Sequence, residues 1–264
     1  MSSAAPANQI EVTSHYVRHR NASLAQADFG PIFEDYYLHL MQLDLRPAPE
    51  QDAMLKDALA ALTLHLMSRP RAELSAWTIN FHDPPLNLFV TGDSELGNVV
   101  GRLFTEDVKV SEQSLLYAQV THPRTPQRQS TVEVHGRDVL RVAEQYYRRS
   151  EQLPARYFRM GGDAYAIVVA QPDIDLPWFE SLDAAAVARL DQEQELGRLE
   201  RRSYHFGCGC NLGTVLRVIV RSLGRDPIHV FQGEGELRVK CPRCAGVFVI
   251  EPDVFARFLE EEPE

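Results

Sequence analysis

The chain has 264 residues, 44% of them apolar, and a formal net charge of −10 at pH 7. That length suits one large domain or a core with a small module, and the acidic balance argues against a dedicated nucleic-acid binder and against attachment to an anionic membrane. No stretch reaches the roughly 18 apolar residues that span a bilayer. Residues 1–8 have neither the basic nor the apolar region of a signal peptide, so the expectation is a soluble, cytoplasmic protein with no membrane partner.

Residues 1–30 carry little pattern and are expected to include a disordered tip. Residues 31–45 place Ile32, Phe33, Tyr36, Tyr37, Leu40 and Met41 on one helical face. Residues 50–68 repeat that spacing and should stop by Arg69-Pro70. The period then shortens, and residues 74–81, 86–91, 99–104 and 131–134 read as strands. His82-Asp83-Pro84-Pro85 joins the first two, and the Pro- and Arg-rich stretch 122–129 reads as a loop. Residues 138–152 return to helix, and Gly161-Gly162-Asp163 turns between strands at 157–160 and 164–170.

Composition shifts after Gln171. Residues 179–203 are dense in Asp, Glu, Gln and Arg, with thin apolar positions at Leu182, Val187, Leu190, Leu196 and Leu199. A charged helix is expected there that buries little area and melts readily. Farther on, Asn211 caps a helix over 212–223, whose apolar positions form one stripe, and Gly224 ends it. Short strands at 236–240 and 247–250 flank a turn, and Pro252 starts a last helix. The expected class is α+β: an N-terminal α/β core with a mainly antiparallel sheet (1–171), a charged helical linker (172–204) and a small C-terminal zinc-binding domain with four cysteine ligands (205–264).

The chemistry is concentrated in the four cysteines, Cys208-Gly-Cys210 and Cys241-Pro-Arg-Cys244. Two tight thiol pairs thirty residues apart supply the four soft ligands of one tetrahedral Zn2+. In a reducing cytoplasm such clusters are metal ligands or redox-active thiols more often than permanent disulfides. A module of about 60 residues has little core, so zinc would hold it folded. The same pairs can also close as two vicinal disulfides, and that choice separates a staple from a switch. Arg217, Arg221 and Arg225 align on one helix face, which allows nucleic-acid contact but more often marks a solvated surface. His205 is a neighbour of the cysteines rather than a fifth ligand. No G-x-G-x-x-G, P-loop or G-x-S-x-G occurs, and no acid/base pair stands out, so an enzyme is not expected.

With C-x-C and C-x-x-C near the end of a chain of this size, the sequence resembles the heat-shock protein 33 family of redox-switched holdase chaperones. Tyr146-Tyr147-Arg-Arg-Ser150-Glu151-Gln152-Leu153-Pro154 is similar to that family's helix ending in Ser-Glu-Gln-x-Pro, and Gly161-Gly162 and the helix–strand order of 50–91 agree. The chain departs from the family where His82-Asp83-Pro84-Pro85 replaces a Gly-rich turn and where 122–129 replaces a Gly-containing segment. The resemblance implies that Cys208, Cys210, Cys241 and Cys244 hold zinc when reduced. It also implies that oxidation pairs Cys208 with Cys210 and Cys241 with Cys244, unfolds the linker and lets the protein bind unfolded clients without ATP, the oxidised form being a possible homodimer. Lys240 and Arg243 flank the distal pair and favour its thiolates. The competing expectation is a constitutive zinc-ribbon adaptor for a fixed protein or nucleic-acid partner.

Overall fold

The computed structural model describes residues 8–106 and 108–262; for residues 1–7 the expected disordered tip lies outside them. The chain divides into two compact units, Met1–Gly207 and Cys208–Glu264.

The first unit opens with a hairpin, β1 (Ile10–Val17) and β2 (Ala22–Asp28), followed by α1 (Gly30–Gln42) and α2 (Pro49–Met67). Strands β3 (Leu74–Phe81), β4 (Leu86–Asp93), β5 (Asn98–Phe104), β6 (Leu115–His122) and β7 (Thr125–Glu133) form a meander. Helix α3 (Val139–Tyr146) runs into a π-helical turn, Tyr147–Glu151, and leads to the hairpin β8 (Ala155–Gly161) and β9 (Ala164–Ala170). Three short helices follow, α4 (Leu176–Ser181), α5 (Ala184–Ala188) and α6 (Leu190–Glu193), and then the long strand β10 (Leu196–Phe206). All ten strands join one sheet of order β7-β6-β3-β4-β5-β10-β1-β2-β9-β8. Every pairing is antiparallel except β5 with β10. The fold is mixed α+β with a mostly antiparallel sheet, as expected.

Helix α2 is apolar on nearly all sides and is accordingly buried from Met54 onward, apart from the half-buried Lys56. Its polar exceptions are each bonded. Asp57 takes two hydrogen bonds from Arg159, at 3.1 and 2.6 Å, and one from Tyr165 at 3.0 Å. Thr63 donates to the Leu59 carbonyl at 2.7 Å. His65 Nδ1 lies 2.8 Å from the Tyr147 hydroxyl.

Burial first, and the Arg69 charge second, push the His65 pKa down to about 3. An unfolded histidine titrates near 6.5, so between those values the unfolded chain binds the extra proton. The contribution of neutral His65 is therefore complete above about pH 6.5 and declines as pH falls toward 3, by up to about 1.4 kcal/mol per pH unit. Urea unfolding of the first unit is expected to lose about 2 kcal/mol between pH 7 and pH 5 through this group. A His65→Gln variant should show a visibly flatter dependence.

Three segments differ from the sequence reading. Residues 10–28 form a hairpin where the sequence shows little pattern, because Ser14, Ser23 and Gln26 interrupt the alternation. The expected loop at 122–129 is mostly strand β7, an exposed edge whose side chains need no apolar period and whose Pro126 an edge tolerates. The expected helix over 179–203 is three short helices and then β10, which takes its backbone partners from β1 along eight residue pairs. The thin apolar positions before β10 are better packed than their spacing suggests. Phe179, Leu182, Val187 and Leu190 are buried in a cluster with Val17, Leu24, Phe158 and Val168, on the sheet face away from α2.

Candidate metal centre

In the second unit, α7 (Leu212–Leu223) starts where expected, with the Asn211 side chain accepting from the Thr214 N–H at 2.9 Å. It is followed by α8 (Pro227–Phe231), the hairpin β11 (Leu237–Lys240) and β12 (Val247–Ile250), and α9 (Pro252–Glu261). The core is small: Leu216, Ile219, Val230, Phe231, Ile250 and Phe255. Phe231 and Phe255 meet edge-to-face, with ring centroids 5.8 Å apart.

Two turns carry the cysteines. Cys208 and Cys210 flank Gly209, whose φ of +66° breaks the extended path and brings both thiols to one side. The bend that lets the C-x-C pair converge is thus made at a glycine outside any strand. Cys241 and Cys244 sit on the β11–β12 turn. The Cys241 N–H donates to the Gly246 carbonyl at 2.8 Å, and the Ala245 N–H donates to the Cys241 carbonyl at 3.0 Å.

The four Sγ atoms lie within 4.8 Å of one another. Cys208 and Cys241 are 3.7 Å apart, and Cys210 and Cys244 are 3.5 Å apart. Four sulfurs at about 2.3 Å from a tetrahedral ion are about 3.8 Å apart, so the donor set fits one metal of that size. Among the described residues these cysteines are the group of three or more His, Cys, Asp or Glu able to hold a metal. His205 is not in that group; it lies on β10 of the first unit, paired with Asn98 of β5.

Burial, followed by the mutual repulsion of the sulfurs, pushes the Cys208 thiol far up. Burial and the Cys244 sulfur push Cys210 up to about 12. A bound cation removes that repulsion, which is why four clustered thiols favour a metal. Cys241 differs. Burial opposes its ionisation, but hydrogen bonds from the Cys244 and Arg243 backbone N–H groups and from two neighbouring thiols outweigh burial and lower its pKa. Arg243 therefore acts on Cys241 through its backbone, where the sequence suggests its charge and that of Lys240.

Two of the three aligned arginines on α7 are engaged by the end of α9. Arg217 pairs with Glu262 at 2.7 Å, and Arg225 donates to the carbonyls of Leu259 and Glu262 at 3.0 and 2.9 Å. The Ser150-Glu151-Gln152 stretch is architectural. Glu151 accepts from Arg69 at 2.9 Å and from the buried Tyr146 hydroxyl at 2.5 Å. Ser150 meets Ser130 at 2.9 Å, and Gln152, with φ of +57°, stops the helix.

No family model matches the chain, and no curated protein matches it. Its structure is similar to the crystal structure of a 33 kDa chaperonin, a heat shock protein 33 homologue, from Thermotoga maritima. The TM-score is 0.73 over 96% of this chain and 98% of that one, at 14% identity. The two proteins share a fold, and the protein described here carries a cluster of four cysteines at its C-terminal end.

Proposed function

We propose that this protein is a cytoplasmic, redox-regulated, ATP-independent holdase, which binds unfolding proteins under oxidative stress and is not an enzyme. The observation that carries the reading is the convergence of Cys208, Cys210, Cys241 and Cys244 in a unit with a six-residue core. A zinc ion bound by the four thiolates would supply most of the folding free energy of that unit, about 10–16 kcal/mol for sites of this kind.

On oxidation, Cys241–Cys244 and Cys208–Cys210 each form one S–S bond. Each pair of thiolates gives two electrons to one peroxide, which takes two protons from solvent and departs as two waters. The sulfurs then no longer serve as thiolate ligands, and the C-terminal unit loses its staple. Residues 172–204 act as the metastable element between a chaperone core, 1–171, and the redox switch, 205–264. Helices α4–α6 cover the apolar sheet face formed by Val17, Leu24, Phe158 and Val168, and their release presents that face to clients.

The test is peroxide treatment of the reduced, zinc-loaded protein, following zinc release together with suppression of client aggregation. Both should appear in step and reverse with dithiol reductant. Zinc retained under mild peroxide, or equal client holding by the reduced protein, would support a constitutive zinc-ribbon adaptor instead. Mass mapping is expected to find the Cys241–Cys244 bond first, because hydrogen bonds from backbone N–H groups on its turn favour the Cys241 thiolate.

A further inference from the structure

The β11–β12 turn that carries Cys241 and Cys244 holds one residue against its own preference. Ala245 has φ of +64°, in the left-handed region that L-residues other than Asn, Asp and His rarely adopt, because Cβ crowds the following carbonyl oxygen there. Among the described residues, seven other than glycine have a positive φ. Six of them are polar and none of those six is buried; the seventh is Ala245, apolar and 3% exposed.

The turn dictates that angle. The Ala245 N–H donates to the Cys241 carbonyl four residues back, at 3.0 Å, and the Gly246 carbonyl accepts from the Cys241 N–H at 2.8 Å. The first of these is the bond that ends a helical turn at a left-handed residue, a position where glycine is strongly favoured. The same turn aims the Arg243 and Cys244 N–H groups at the Cys241 sulfur. The angle at residue 245 therefore cannot relax without disturbing the groups that place two of the four sulfurs.

A glycine is present, but one place too late. Gly246 lies outside the left-handed region, and a Cβ there would lie 3.4 Å from Cys244 Sγ. Its small size leaves room beside the sulfur and does nothing for the backbone at residue 245. On the other arm the left-handed position is Gly209, with φ of +66°, which a glycine adopts freely. Both arms of the centre bend through a left-handed residue, and only the Cys241–Cys244 arm is strained by it.

We propose that Ala245 is a positioning residue that keeps the Cys241–Cys244 turn strained, so that the four thiolates hold their metal less tightly than the same ligands otherwise would and let it go from this arm. The strain persists only while both cysteines are held at the ion. Once the turn is free, φ at residue 245 returns to negative values and the strain disappears with the metal. The inference rests on the reading of the four cysteines as zinc ligands and not on the holdase reading.

Zinc transfer from the reduced full-length chain to a chromophoric chelator tests it. Ala245→Gly should bind zinc about three- to tenfold more tightly, mostly through slower release, because relief of the left-handed strain exceeds the added freedom of glycine in the unfolded chain. Ala256→Gly is the same exchange at an exposed position inside helix α9, and it should weaken binding about two- to fivefold, since folding and metal binding of this unit are coupled. Gly209→Ala puts a comparable strain on the other arm and should weaken binding about three- to tenfold. Cobalt in place of zinc should give the same thiolate-to-metal charge-transfer bands in the natural chain and in each variant, as expected when all four sulfurs stay ligated. Bands that change in Ala245→Gly would mean an altered ligand set and overturn the inference. Zinc held no more tightly by Ala245→Gly than by the natural chain overturns it and leaves the metal reading standing. A gain shared by Ala256→Gly would trace the effect to chain flexibility and overturn it as well. A natural chain that takes up no zinc overturns the metal reading, and the inference with it.

Discussion

Replacing Cys241 and Cys244 together with serine is expected to abolish metal binding and to unfold Cys208–Glu264, while the first unit outside residues 172–207 stays folded. The second unit has only six buried apolar residues in its core, and a module of this size depends on a staple such as a tetrathiolate metal, worth about 10–16 kcal/mol. The two units can be followed separately. Both tryptophans and all nine tyrosines precede residue 208, so their fluorescence and near-ultraviolet dichroism report the first unit only. Far-ultraviolet dichroism also sees α7 and α9. The double variant, made in a Trp178→Phe background that removes the fluorophore of α4, should show metal content near zero, a loss of far-ultraviolet helical signal and unchanged Trp77 fluorescence. Full metal content in the variant would show that the cysteines are not the ligands. A parallel loss of the tryptophan signal would show that the first unit depends on the second for its own stability.

Arg202→Ala is expected to be the most damaging single change in β10. The side chain is 8% exposed and donates to the carbonyls of Leu66 at 2.9 Å and Arg69 at 2.8 Å, at the C-terminal end of α2, and to Glu200 at 2.6 Å. A cation at a helix C-terminus offsets the unpaired carbonyls there. Removing a buried partner of this kind costs about 3–5 kcal/mol, because the groups it served stay buried. For a unit of this size that is a fall of roughly 10 °C in Tm. The neighbouring Arg201→Ala is the control. Arg201 pairs with Glu11 at 2.9 Å with both side chains about half exposed, and such surface pairs are worth about 0–1 kcal/mol. Thermal unfolding of the two variants should separate clearly; equal Tm values would mean that β10 does not anchor through Arg202. In the holdase reading, the loosened β10 should also give Arg202→Ala some client holding in its reduced state, which an aggregation assay would detect.

What the sequence determined by itself is local or covalent. Helices α2 and α7 were legible because their apolar residues recur at helical spacing and Pro70, Asn211 and Gly224 mark their ends. The cysteine cluster was legible because thiols in two tight pairs have few other uses, and folding needed only to bring two turns together. The β8–β9 and β3–β4 hairpins followed from alternation on either side of a turn. The tertiary structure alone decided β10. Its inward positions are Arg202 and Tyr204 rather than aliphatic residues, and Leu199, the most apolar side chain in its middle, is 60% exposed at a bulge opposite Ser14 and His15. No apolar period can show where a buried arginine stands in for a core residue. That substitution works only because the end of α2, more than a hundred residues earlier in the chain, brings the Leu66 and Arg69 carbonyls to meet it. The same holds for the two residue pairs that join β10 to β5. They depend on a glycine at position 97, where a Cβ would meet the Ser203 carbonyl oxygen, and nothing near Gly97 in sequence announces that a strand a hundred residues later will lie against it.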